Sequence, residues 1–131
     1  MQSVFYQPEA VVLVSKHLLN GSGSLRWIYR ELAPTQSQDT GWLLFADNDN
    51  EQWNQEPNNF MPVVVATALA IEQSLQYILD LPYGTDLVFV NRNQIKGWWE
   101  PKSQTPIWLS DGTITPHIVI KQGEVMANDD N

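Results

Sequence analysis

The chain has no cysteine, so neither a disulfide nor a zinc–thiolate centre is possible. No apolar run approaches the ~20 residues needed to span a membrane. Met1-Gln2-Ser3-Val4-Phe5 places no basic region before an apolar core, so no signal peptide is expected and the reading is a cytoplasmic protein. Histidine occurs only at His17 and His117, neither with a partner at metal-ligand spacing. The most telling gap is one of charge: no Lys, Arg or His stands between Arg30 and Arg92.

That gap shapes the net charge of −8 over 131 residues. Residues 31–91 carry Glu31, Asp39, Asp47, Asp49, Glu51, Glu56, Glu72, Asp80 and Asp86, while the rest of the chain holds seven bases and six acids. Such a block repels nucleic acid and anionic membranes and attracts basic protein surfaces. Composition alone leaves open the plainer reading, that acids keep a small domain soluble. With 43% hydrophobic residues there is ample core material. The length suits one domain over 1–131, able to bury about two-thirds of the surface its unfolded chain exposes.

Trp27-Ile28-Tyr29-Arg30-Glu31 and Asp39-Thr40-Gly41-Trp42-Leu43-Leu44-Phe45 are rich in aromatic and branched residues, which favour strands. Pro34, Ser37, Asp39 and Gly41 supply turn chemistry for an antiparallel connection. Alternation puts Trp27, Tyr29 and Glu31 on one face and Ile28 and Arg30 on the other. Trp27 and Trp42 are expected to pack across neighbouring strands. Arg30 is expected to hold a carboxylate in a structural ion pair.

These segments resemble a family of bacterial immunity proteins from polymorphic toxin systems, the one numbered thirty-three. Its pattern reads here as Val14-Ser15, Trp27 to Glu31, Asp39 to Trp42, an acidic loop from Asp47 to Glu56, and Pro82-Tyr83-Gly84-Thr85. Order and spacing hold over residues 13–90. Leu43 stands where the family commonly has a base, and Ala46-Asp47 where it has Ser-Gly. The resemblance implies a non-enzymatic protein that binds a cognate protein toxin. It also singles out Trp27, Tyr29, Arg30, Glu31, Asp39, Gly41, Trp42 and Gly84 as motif residues of structural purpose.

Along the chain, Val11 to Val14 reads as a buried strand and Ser15 as the N-cap of a short helix, Lys16 to Asn20, ended by Gly21 and Gly23. Strands are expected at 25–31, 42–46, 86–91, 97–100 and 117–121. Val64, Ala68, Ile71, Leu75, Ile78 and Leu79 fall at helical spacing, predicting one main helix over 64–80, with residue 71 as the place where it could break. The expected architecture is α+β: a twisted, mainly antiparallel sheet of five or six strands with that helix on one face.

Chemistry finds little purchase. Asp47-Asn48-Asp49-Asn50-Glu51 opens like a calcium loop, but Gln52 and Asn58 occupy the places that require Gly and Glu. Ser110-Asp111-Gly112 is a turn, not a nucleophile elbow, and Gly21-Ser22-Gly23 is too short to cradle phosphate. Glu31 and Asp39 could pair for acid–base work. No catalytic, metal or cofactor site is assigned. The candidate partner-binding residues are Asp47, Asp49, Glu51 and Glu56, with Trp53 among them either as an anchor for the loop or as an interface hot spot. Exposed tryptophans keep a carbohydrate- or small-ligand-binding domain as an alternative, and a hydrolase with an unrecognised site as a further one.

Overall fold

Val12 and Val14 disappear completely from solvent in β1 (Val11–Ser15), the first strand of the sheet in chain order. The computed structural model describes residues 9–31 and 39–113. Ser15 ends β1 and starts α1 (Lys16–Leu19), its Oγ accepting from the His17 amide at 3.3 Å as an N-cap does. β2 (Leu25–Arg30) and β3 (Asp39–Ala46) pair antiparallel, with Ile28 opposite Leu44 and Arg30 opposite Trp42. The polar segment that follows is structured: α2 (Glu51–Asn54), then a 3-10 turn (Pro57–Asn59). Next come β4 (Phe60–Val64), α3 (Val65–Ile71), a 3-10 helix (Gln73–Tyr77), β5 (Asp86–Arg92), β6 (Ile95–Glu100) and β7 (Thr105–Leu109).

The strands form one sheet of seven, ordered β4-β1-β3-β2-β5-β6-β7. Every pairing is antiparallel except β1 with β3. The expected five or six strands fall short because two edge strands read poorly: β4 and β7 each contain a proline, Pro62 and Pro106. Proline removes a ladder donor, which strands tolerate at edges and which shields those edges from further pairing. β5 and β6 close through Asn93 and Gln94, both at positive φ (54° and 66°), as a two-residue primed turn requires. The strand expected at 117–121 lies outside the described residues.

The main helix expected over 64–80 does not form as one piece. Val64 belongs to β4, and α3 stops at Ile71 because Glu72 turns extended, at φ −151° and ψ 109°. The Glu72 carboxylate then caps the 3-10 helix, accepting from the Ser74 amide at 3.0 Å, and Lys96 Nζ lies 3.3 Å from it. Ser74 Oγ in turn accepts the indole N–H of buried Trp98 at 3.0 Å.

The core sits under this helical layer. Val12, Val14, Ile28, Trp42, Leu44, Leu87, Phe89 and Trp98 point inward from five strands to meet Val65, Ala68, Leu75 and Ile78. Trp27 and Trp42 do not pack against each other. Trp42 is fully buried on the core face, whereas Trp27 is 40% exposed on the opposite face, its ring 5.0 Å from that of Phe45. Register decides this, since Trp27 pairs with Phe45 and Trp42 with Arg30.

Candidate functional site

Part of the motif, Gly41, Trp42 and the turn holding Tyr83 and Gly84, gathers around one buried cation. Arg30 is 7% exposed, and its guanidinium donates to three main-chain carbonyls: Nε to Thr40 O at 2.7 Å, Nη1 to Leu81 O at 2.7 Å and, longer, to Leu79 O at 3.5 Å. The Tyr83 ring covers it at 4.1 Å and the Trp42 ring flanks it at 5.8 Å. Among the described residues it forms no ion pair within 4.0 Å, so the expected carboxylate partner is replaced by carbonyls and aromatic faces. Burial lowers the Arg30 pKa from its usual value, against the opposing influence of Tyr83 and Asp80.

The backbone around Arg30 accounts for Asp39, Gly41, Trp42 and Gly84. Arg30 N–H donates to Thr85 O at 2.9 Å and Arg30 O accepts from Gly84 N–H at 2.7 Å, so the Pro82–Thr85 turn is stitched to β2. Gly41 has φ +87°, and a side chain there would meet Glu31 O at 3.1 Å and Arg30 Cγ at 3.4 Å, so glycine is required twice over. Asp39 Oδ1 accepts from Gly41 N–H at 2.8 Å and Trp42 Nε1 donates to Leu79 O at 2.9 Å. Tyr29 lies on the opposite face with Trp27, opposite Asp86. Glu31 is exposed, and Asp39 is occupied with its turn. The cluster braces β2, β3 and the 79–85 turn; it presents no nucleophile.

A second cluster builds the acidic segment. The Asp49 side chain is only 2% exposed. Its Oδ2 accepts from the Ala46 amide at 2.9 Å, and its Oδ1 accepts from Ser15 Oγ at 3.0 Å and lies 2.7 Å from His17 Nδ1. Trp53 stacks on His17, and its Nε1 donates to Ser15 Oγ at 3.2 Å. Ser, His and Asp thus meet, but not in a relay. A triad runs carboxylate to imidazole to hydroxyl; here buried Ser15 gives its proton to the carboxylate itself and faces an indole. Asp47, Glu51 and Glu56 remain exposed, with Asp47 Oδ1 accepting from Ser24 N–H and Glu56 Oε2 from Asn58 N–H.

Of the five predicted partner-binding residues, the structure therefore turns Asp47, Glu51 and Glu56 outward and uses Asp49 and Trp53 to hold them. Ser15 and His17 were recognisable as cap and helix residues, but their contact with residues more than thirty positions away carries no local signal. Among the described residues, no group of three or more His, Cys, Asp or Glu side chains is placed to hold a metal. No described helix is long and apolar enough to cross a membrane.

The Immunity protein Imm33 domain matches residues 12–99, spanning both clusters. The chain belongs to the Imm33 family. No curated protein and no solved structure matches it. Membership of an immunity family points to a non-enzymatic role and to a toxin as partner in general terms. In this Imm33 protein β7 lies past the matched region, which ends at Trp99.

Proposed function

We propose that this Imm33 protein binds a toxin made by the same bacterial cell and blocks it stoichiometrically in the cytoplasm, as the immunity half of a polymorphic toxin system. Asp47, Glu51 and Glu56 meet the toxin directly, Asp49 fixes the loop that carries them, and Trp53 both anchors the loop and offers its outer edge. Family membership supplies the class of partner. The observation that carries the choice of surface is the build of the 47–56 segment: an acid spent internally and an indole stack hold three other acids in fixed, solvated positions. Loops that carry binding residues work best when a rigid scaffold positions them. Toxins that act on nucleic acid need basic clefts, and charge complementarity speeds encounter and sharpens selectivity.

The test is co-purification and growth protection with the toxin domain encoded by the neighbouring gene, carrying an inactivating substitution for the binding arm. The expected result is a stable one-to-one complex and restored growth when the active toxin is expressed. Absence of both for the wild-type chain overturns the reading.

A further inference from the structure

We infer that the open face of the sheet is the seat of the toxin, an apolar stripe that receives an apolar patch set in a basic protein surface. This rests on the immunity reading above and says where the partner sits. Residues directly opposite each other in a sheet share a face. Phe45 stands opposite Trp27, Trp27 opposite Val88, Val88 opposite Trp99, and Trp99 opposite Pro106. Phe60 joins the row from β4, its ring edge-on to Phe45 at 5.5 Å. The result is a continuous aromatic and aliphatic line across the strands, every member of it part-exposed, while among the described residues the core and its helical layer lie against the other face.

An exposed contiguous apolar patch marks an interaction site more often than a scatter of single residues does. Tryptophan at its centre is the side chain most enriched among binding hot spots. The sheet edges are poor alternatives, because Pro62 and Pro106 withdraw ladder donors from β4 and β7.

Charge identifies the occupant. The acidic 47–56 segment leaves β3 just after Phe45 and enters β4 at Phe60, so it borders one end of the stripe. Asp86, opposite Tyr29, borders it one row away. Arg92, a base of this face, stands off at the β5–β6 hairpin. A second copy of the chain would bring the same charge of −8 against these acids. A basic partner meets apolar contact and charge complementarity together.

The experiment uses the full chain and the inactivated toxin domain encoded beside it. Trp27→Ser should weaken binding by about thirtyfold or more, as loss of a hot spot does, with only the small fall in melting temperature that loss of its contact with Phe45 brings. Trp27→Lys should weaken it further than Trp27→Glu. Hydroxyl-radical footprinting of the wild-type complex should protect Trp27, a readout that depends on no variant folding. If Trp27 stays labelled in the complex, or Trp27→Ser binds like wild type, this inference falls while toxin binding itself stands. A marked drop in melting temperature for Trp27→Ser would show that residues of the same chain cover the stripe, and a wild-type dimer that Trp27→Ser dissociates would show a second copy; either result overturns it. If the wild-type chain binds no toxin domain, the immunity reading falls and takes this one with it.

Discussion

The His17 imidazole lies flat on the Trp53 indole, with ring centroids 3.7 Å apart and 15° between the planes. The stack joins α1 to α2 across 36 residues of sequence, and Asp49 ties it to the end of β1 through Ser15. Asp49→Ala should therefore destabilise the protein by about 2–3 kcal/mol, because an almost fully buried charged acceptor leaves the Ala46 amide and the Ser15 hydroxyl without it. Trp53→Phe keeps an aromatic ring on His17 but loses the indole N–H, and should cost about 1 kcal/mol. Denaturant unfolding of the two variants checks the order. An Asp49→Ala protein as stable as wild type would show that the loop is not held this way.

Arg30 is predicted to serve the fold. Arg30→Ala leaves the Thr40 and Leu81 carbonyls unpaired in the interior and strips the cation from under Tyr83. The expected loss is about 3 kcal/mol or more. Arg30→Lys should recover only part of it, since an ammonium cannot reproduce the planar fork that reaches two carbonyls at once. Thermal unfolding measures both. Unchanged stability of Arg30→Ala together with lost toxin neutralisation would move this residue from the scaffold to the interface.

The face on which Arg30 lies was legible in the sequence, and its partners were not. Period-two alternation separates Ile28 and Arg30 from Trp27 and Tyr29 whatever the register, because it depends only on the strand itself. Whether Trp42 faces Trp27 or Arg30 depends on the pairing register, which the strand's own sequence leaves open, and a one-residue slip flips every side chain. The expectation of a carboxylate beside Arg30 failed for a related reason. Carbonyls left unpaired in the 79–85 turn are invisible until that turn is placed.

The helix over 64–80 shows how far periodicity carries. Ala68, Leu75, Ile78 and Leu79 are all buried, as helical spacing requires, yet the backbone between them turns extended at Glu72. The break near residue 71 could be anticipated. Its cause, a side chain capping the next turn while Lys96 approaches it from β6, could not. Likewise the acids of 47–56 were legible as a cluster, but the inward turn of Asp49 was not, since its partners lie 32 and 34 residues earlier.

Calcium and magnesium should leave the melting temperature unchanged at millimolar concentration. Oxygens that a calcium loop would devote to the ion are already engaged: Asp49 by Ala46, Ser15 and His17, Asp47 by Ser24, and Asn50 Oδ1 by the Trp53 amide at 2.8 Å. Binding an ion would have to break those contacts first, and the loop lacks the glycine and bidentate glutamate that normally offset such a cost. Thermal melts with added metal and then chelator decide it. A saturable rise reversed by chelator would reveal a site.

Neutralising the exposed acids should slow association without loosening the fold. Asp47→Asn, Glu51→Gln and Glu56→Gln together remove three charges but keep oxygen acceptors for the Ser24 and Asn58 amides. Asp49 is left in place, because its carboxylate holds the loop. Charges that remain solvated at an interface act mainly by steering, so the association rate should fall and its dependence on salt should flatten, while dissociation changes little. Trp27→Ser should do the reverse, speeding dissociation with the salt dependence intact, because it removes apolar contact and leaves every charge. Stopped-flow binding to the inactivated toxin domain across a salt series separates the two effects. If the triple variant associates at the wild-type rate with the wild-type salt slope, the 47–56 segment is a solvated surface and the toxin approaches from elsewhere.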